Sequence, residues 1–438
     1  MTKNADLKNM SRCMNRDIRV KAVLVFSFAV SLLFFFYNLG GEKSLFFVGI
    51  LMFLLSIFVF SEEENFLMIS FLIPNLFMFK QMGTESALLG YFFVLVSMKT
   101  LAKNYHKNLK IDLFFAAHVA FVLLTCVLYD DTTLGISLIR FCFNFSLFAY
   151  SASFFSERRE IDYAVKMYFI GTIVAIGMGM IYLSLFDALY SGLFSGINSG
   201  RNYFGAVISP AITIAILYLA ERNISVSDGI LYSATIVFCL ISIILSGSRT
   251  SLLALSIPLI LILYYFFKYI PRRKLTTKVL PMGILVVLLV FFVYYNFKDS
   301  LFELLARFEE EDVKTGNRRF VLWEYYFNQT FRTPVTLLLG NASNSQTEFV
   351  EHNTILQCLY ELGAIGLVTM FGILKHTFRK ILKGRKVEFV NWFPLLAIIF
   401  PYCGINGLYS DQLSFLIILC ALIMRTSSEK EWRKKIRG

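Results

Sequence analysis

The chain has 438 residues, of which 57% are hydrophobic and only 16% charged, with a formal net charge of +12. A water-soluble domain cannot bury that much apolar surface, so a soluble fold is excluded and a membrane-embedded one is predicted. The apolar runs are long and unalternated, and in lipid the backbone must satisfy its own hydrogen bonds, so helices rather than barrel strands are expected. The expected fold class is all-α: a polytopic helical membrane protein of about 12–14 transmembrane helices, with one large extracytoplasmic loop carrying short helices.

In chain order, a basic N-terminal stretch (Lys3, Lys8, Arg12, Arg16, Arg19, Lys21) precedes the apolar run Ala22–Tyr37. No small-residue cleavage motif ends that run, so it reads as the first span rather than a removed leader. Further apolar runs centre on 44–60, 65–79, 86–98, 111–129, 133–155, 163–187, 203–220, 229–246, 251–269, 279–296, 354–374, 389–403 and 412–424. Runs 86–98 and 412–424 are short for a full crossing, and the last two are short enough for a re-entrant hairpin. The intramembrane prolines (Pro74, Pro210, Pro258, Pro394, Pro401) are expected only to kink their helices. The seven cysteines contain no CxxC pair, so neither a disulfide framework nor a zinc site is expected.

The division expected is 1–295, an N-terminal helix bundle; 296–351, a polar extracytoplasmic catalytic loop; and 352–438, C-terminal helices with a basic tail. Lys/Arg clusters in the N-terminal tail, at Lys99–Lys110, at Lys268–Lys278, at Lys375–Lys386 and in the tail from Arg425 fall on one side of this arrangement. That side is expected to be the cytoplasm, with both termini there. The 296–351 segment carries nine acidic against six basic residues and falls on the other side. Glu62, Glu63 and Glu64 are the exception on the basic side, although acidic residues count little in this rule. Topology accounts for the positive charge, and no basic patch on a soluble domain points to nucleic acid.

Three polar groups of residues converge on the outer side. Ser246-Gly247-Ser248-Arg249-Thr250 lies between two apolar runs, where an arginine is costly unless it has a partner or snorkels to lipid phosphate. Gly316-Asn317-Arg318-Arg319-Phe320-Val321-Leu322-Trp323 opens an amphipathic helix with Phe320, Trp323 and Phe327 on one face. Glu351-His352-Asn353 directly precedes an apolar run, and His352 is the outer-loop member of the four histidines. His118 sits within an apolar run as a packed residue, while Arg140, with Asn144 a turn further on, lies about two turns below the outer surface. For Arg140 the alternatives are snorkelling and contact with lipid phosphate or acceptor.

These residues resemble the signatures of the bacterial O-antigen polymerase/O-antigen ligase superfamily. Leu245–Leu253 is similar to its Ser-Arg-Thr stretch followed by an apolar helix, and Gly316–Trp323 to its Gly-x-Arg loop motif followed by Trp or Tyr. His352-Asn353-Thr354-Ile355-Leu356-Gln357, continuing to Glu361-Leu362-Gly363-Ala364-Ile365-Gly366-Leu367, resembles the third signature. Asn198–Gly205, with Arg201 and Asn202, loosely resembles the Asn-bearing opening of a preceding span. The resemblance covers roughly 198–372; adjacent Arg318 and Arg319 leave open which takes the arginine role.

The resemblance implies a glycosyltransferase, polymerase or ligase, in the bacterial cytoplasmic (inner) membrane. Donor and acceptor would be undecaprenyl-diphosphate-linked oligosaccharides, or lipid A-core as acceptor in a ligase. Membrane lipid and a chain-length regulator protein are the other expected partners, with no cofactor, no metal and no nucleic acid. His352, Arg319 and Arg249 are the expected catalytic residues; Arg318, Arg140, Arg201, Asn202, Asn353 and Trp323 the expected substrate-binding ones. Guanidinium groups suit a departing diphosphate and imidazole suits an acceptor proton. A metal-dependent mechanism using Glu309–Asp312 or Asp130-Asp131, and a flippase, are the alternatives; no inverted repeat is visible for the latter.

Overall fold

The computed structural model describes residues 2–79, 88–104, 113–131, 134–144, 158–185, 201–219, 224–248, 250–252, 319–342, 353–382, 392–403 and 410–426, with isolated positions at 155–197 and 255–302. Side chains are described from residue 16 onward, those of Phe77, Asn104 and Arg201 excepted. Every regular element among these residues is a helix. They are α1 (Thr2–Gly40), α2 (Lys43–Val59), α3 (Glu62–Leu72) continuing as a 3₁₀ turn Ile73–Phe79, α4 (Leu88–Asn104), α5 (Leu113–Tyr129) and α6 (Leu134–Asn144). After them come α7 (Arg158–Leu185), α8 (Arg201–Leu219), α9 (Val226–Ser246), α10 (Arg319–Thr330), α11 (Pro334–Leu339), α12 (Thr354–Leu382), α13 (Phe393–Tyr402) and α14 (Asp411–Thr426).

Five helices among the described residues are long and apolar enough to cross a membrane: Arg16–Gly40, Arg158–Leu185, Asn202–Leu219, Val226–Ser246 and Thr354–Leu382. Shorter apolar helices surround them, Lys43–Val59 and Leu113–Tyr129 included. Their outer faces expose Phe58, Val127 and Val226, as lipid-facing helices should. The chain is an all-α, multi-pass membrane protein. Run 412–424 lies wholly within α14, while residues 145–154 of run 133–155, 389–391 of run 389–403 and most of runs 251–269 and 279–296 fall outside the described residues.

The run 65–79 differs most from expectation. It is an 11-residue helix followed by a 3₁₀ turn, and nearly every residue of it is buried. α3 rises about 16 Å and the 3₁₀ turn about 14 Å more, so the segment runs about 30 Å through the interior of the bundle. Its start is fixed by a capping box, with Ser61 Oγ accepting from the Glu64 amide and Glu64 Oε2 accepting from the Ser61 amide at 2.8 Å. Gly171 of α7 lets that helix close on α3; a Cβ there would stand 2.0 Å from the Phe71 carbonyl oxygen. Asn38 Nδ2 donates to the Met78 carbonyl at 2.9 Å and satisfies the 3₁₀ turn.

The acidic exception on the basic side is explained by pairing. Arg16 bridges Glu63 and Glu160, Arg19 reaches Glu64 at 3.3 Å, and Lys103 reaches Glu62 at 2.7 Å. Arg159 adds Asp17 at 3.0 Å. These contacts tie the Arg16–Arg19 turn of α1, the first turns of α3 and α7 and the last turn of α4 together at one end of the bundle. Burial raises the Glu63 carboxyl above its usual range, against the opposing pull of Arg16.

Deeper in the bundle, His118 of α5 is fully buried and its Nδ1 pairs with Thr369 Oγ1 of α12 at 2.8 Å, the packed role expected of it. Arg140 of α6 forms an ion pair with Asp411, the first residue of α14, rather than projecting unpaired to lipid. Asn144 Nδ2 donates to the other oxygen of Asp411 at 2.6 Å. Gly90 of α4 makes room for the pair, since a Cβ there would lie 2.6 Å from both Arg140 Nη2 and Asp411 Oδ2.

Candidate functional site

The polar signatures gather at the bundle end opposite the Arg16–Glu63–Glu160 network. α7 begins in that network and is about 42 Å long, which sets the separation of the two ends. Asp228, in the first turn of α9, pairs with Lys166 of α7 at 2.7 Å, so α9 starts on the network side and ends at Ser246 on the other. There Gly247 stops the helix in the left-handed conformation (φ 57°), where a Cβ would be strained.

Ser248, just beyond, is 1% exposed and ties two segments together. Its Oγ donates to Asn202 Oδ1 at 2.9 Å and pairs with Ser251 Oγ at 2.8 Å. Gly205, one turn along α8, permits this approach: a Cβ there would be 2.0 Å from Ser251 Oγ. Arg319, the first residue of α10, donates from Nη1 to Thr250 Oγ1 at 3.0 Å. Three sequence stretches, 201–205, 246–251 and the start of α10, thus meet through side-chain hydrogen bonds.

The other flank of α10 packs on α12. Tyr326 is fully buried with its ring 4.7 Å from that of Tyr360, in a small cluster with Leu356, Leu322 and Trp323. Phe320 and Phe327 stay exposed, with the Phe320 ring edge-on to Trp323 at 5.5 Å between centroids, and Trp323 also packs against the cluster on α12. α12 opens at Asn353, whose Oδ1 accepts from the Ile355 and Leu356 amides, both at 3.0 Å. This cap uses the donors left free at a helix start.

α12 is broken at Gly363 (φ 63°, ψ −169°). The break releases carbonyls that the segment after α11 then takes up: the Asn341 amide donates to Tyr360 at 2.8 Å and the Ala342 amide to Glu361 at 3.0 Å. Gly340 and Gly363 face each other so closely that a Cβ on Gly363 would lie 2.4 Å from the Leu338 oxygen. The Tyr129 hydroxyl donates to the Gly340 carbonyl at 3.0 Å and anchors this strap to α5. Buried Glu361 accepts from Gln357 Nε2 at 2.9 Å.

Of the residues singled out from sequence, Arg319, Asn202, Asn353 and Trp323 lie on these packed elements. Arg140 is held in the α6–α14 ion pair with Asp411. Arg201 is the first residue of α8, with its side chain outside the described residues, as are His352, Arg249 and Arg318. His352 directly precedes Asn353 in sequence, and Arg249 stands between Ser248 and Thr250. Sequence reasoning passed over Thr250, Ser248 and Glu361 as site residues, although each stood inside a quoted motif. Asp411 carried no local signal at all.

A multi-pass helical membrane protein with its polar motifs joined at one bundle end is the class that fold and site define. Residues 234–371 match a family model described as O-Antigen ligase, and this supports the O-antigen polymerase/ligase superfamily. The matched segment runs from α9 through α10 and α11 to Phe371 of α12, so it contains the three main signatures. No curated protein matches the chain.

Proposed function

We propose that this protein is a surface-polysaccharide polymerase at the outer face of the bacterial cytoplasmic membrane. It would transfer a glycan from a polyprenyl diphosphate carrier to a sugar hydroxyl of another lipid-linked repeat unit. The observation that supports this most is the position of α10. One end of it hydrogen-bonds to the Ser-Arg-Thr stretch through Arg319 and Thr250, and its flank packs on the turns that follow Asn353. The arginine-bearing and histidine-bearing signatures are thereby held on one scaffold.

In this mechanism the carrier diphosphate departs as an anion held by guanidinium groups, which bind phosphate bidentately and stay charged. Arg249 and Arg319 or Arg318 are the clamp, worth about 3–4 kcal/mol of transition-state stabilisation per donor. His352 accepts the acceptor hydroxyl's proton as the new glycosidic bond forms, in a single displacement with inversion. No divalent cation is required, so EDTA leaves activity intact. Asn353 orients the first turn of α12 beside that base through its cap.

The experiment is a surface-glycan profile of cells expressing His352→Ala at normal protein level. Polymer reduced to single repeats supports the reading, and an unchanged ladder refutes the base role. The matched family's description favours one second reading, an O-antigen ligase, for which complete loss of lipid A-linked repeats is the distinguishing outcome.

A further inference from the structure

Beside α12, on the far side from α10, runs an apolar cavity of about 660 Å³ bordered by α6, α13 and α14. It is lined along α12 from Thr354, Ile355 and Cys358 to Leu382, and in the stretch from Leu367 to Leu382 the wall is hydrocarbon: Phe371, Leu374, Phe378, Leu395 and Trp392 contribute to it. Two cations close that end, Lys375 and Arg379, one helical turn apart and both lining the cavity. Both are exposed.

Several other basic residues near the bundle ends are neutralised. Arg16, Arg19, Lys103, Arg159 and Lys166 all have carboxylate partners. Among the described residues Lys375 and Arg379 have no ion pair. A pair of unneutralised cations at the mouth of a hydrocarbon groove complements an anionic amphiphile.

Length selects among amphiphiles. From Arg379 to Leu367 is 12 residues, or about 18 Å of helix, close to the acyl depth of one leaflet. The diphosphate carrier proposed above belongs at the Asn353 end of α12. That end and Arg379 are on opposite sides of the break at Gly363, with Arg379 16 residues beyond it, about 24 Å of helix, so a phosphate held at Asn353 does not also serve these cations. We propose that the groove is a specific binding site for an anionic phospholipid. Its phosphate lies between Lys375 and Arg379, and its acyl chains lie against Phe371, Leu374 and Leu395. The same cavity reaches Thr354 and Ile355 at the other end of α12, so the test must separate phospholipid from carrier.

Fluorescence of Trp392, which lines the groove, provides the test. Full-length protein carrying Trp323→Phe and Trp432→Phe is placed in nanodiscs containing dibrominated phosphatidylglycerol or dibrominated phosphatidylcholine. Phosphatidylglycerol is expected to quench Trp392 with a relative affinity at least about fivefold higher, the contribution of one well-placed cation. Lys375→Gln/Arg379→Gln should bring the two lipids to parity, while Lys375→Arg/Arg379→Lys should keep the preference and show that the groove is intact. Equal quenching in the parent protein, or a preference that survives the glutamine pair or is lost in the charge-preserving pair, overturns the proposal. So does displacement of the brominated lipid by polyprenyl phosphate more readily than by phosphatidylglycerol, which would assign the groove to the carrier.

Discussion

Arg140 and Asp411 are 271 residues apart in sequence, and their pairing gives the sharpest stability prediction. Asp411 is 3% exposed, whereas the Arg140 side chain keeps 39% of its surface. Removing one member of a buried ion pair costs about 3–5 kcal/mol because the other is left uncompensated. The two losses should therefore be unequal. Arg140→Ala strands a buried carboxylate whose remaining donor is Asn144, and is expected to cost about 3 kcal/mol, the lower end because the pair is partly exposed. Asp411→Ala leaves a guanidinium able to swing toward the surface and should cost about 1–2 kcal/mol. Arg140→Ala/Asp411→Ala should be milder than the sum of the two single variants, since no charge remains to be buried. Thermal unfolding of the four proteins in one detergent, read by intrinsic fluorescence, measures the cycle. A coupling energy of at least about 1 kcal/mol is expected for groups in contact. Strict additivity, or Asp411→Ala proving more damaging than Arg140→Ala, would refute the reasoning.

Three further outcomes are expected. Gly363→Ala combines a positive φ with a backbone contact at 2.4 Å, so it should destabilise the protein by about 2 kcal/mol or more and be detected as lower thermal stability and yield. Arg319→Ala should lower polymer formation by about 10²- to 10³-fold with stability little changed, and an equal deficit in Arg318→Ala alone would move the clamp to its neighbour. Asn353→Ala removes the cap of α12 and should cost about 1 kcal/mol, while Asn353→Asp, which keeps an acceptor oxygen, should retain most of that stability in the same assay.

Composition and run length made the fold class legible, because a bilayer imposes the same requirement on every span it holds. The signature motifs were legible for a related reason: each is local, and the glycines and capping residues within it act over a few positions. What hydropathy could not show is which apolar segment would be surrounded by others. Residues 65–79 read as one more apolar run, yet Gly171 and Asn38, both distant in sequence, pack it into the interior of the bundle and satisfy its 3₁₀ turn. Arg140 looked like a snorkelling arginine because its partner stands at the start of a different helix. The acidic triplet looked anomalous because its partners lie on two other helices, Arg16 and Arg19 on α1 and Lys103 on α4. The Glu-x-Gly signature was visible, but its use was not: Gly363 frees carbonyls for a strap that only tertiary structure supplies.

That interruption also separates two duties an unbroken rod would have to share. The nine residues of α12 ahead of Gly363 answer to the strap, and the nineteen behind it answer to His118 and the surrounding helices. Substitutions accumulating in the longer portion can therefore retune how the protein sits among its lipids while the shorter portion keeps its aim, so adaptation to a different membrane need not disturb the chemistry.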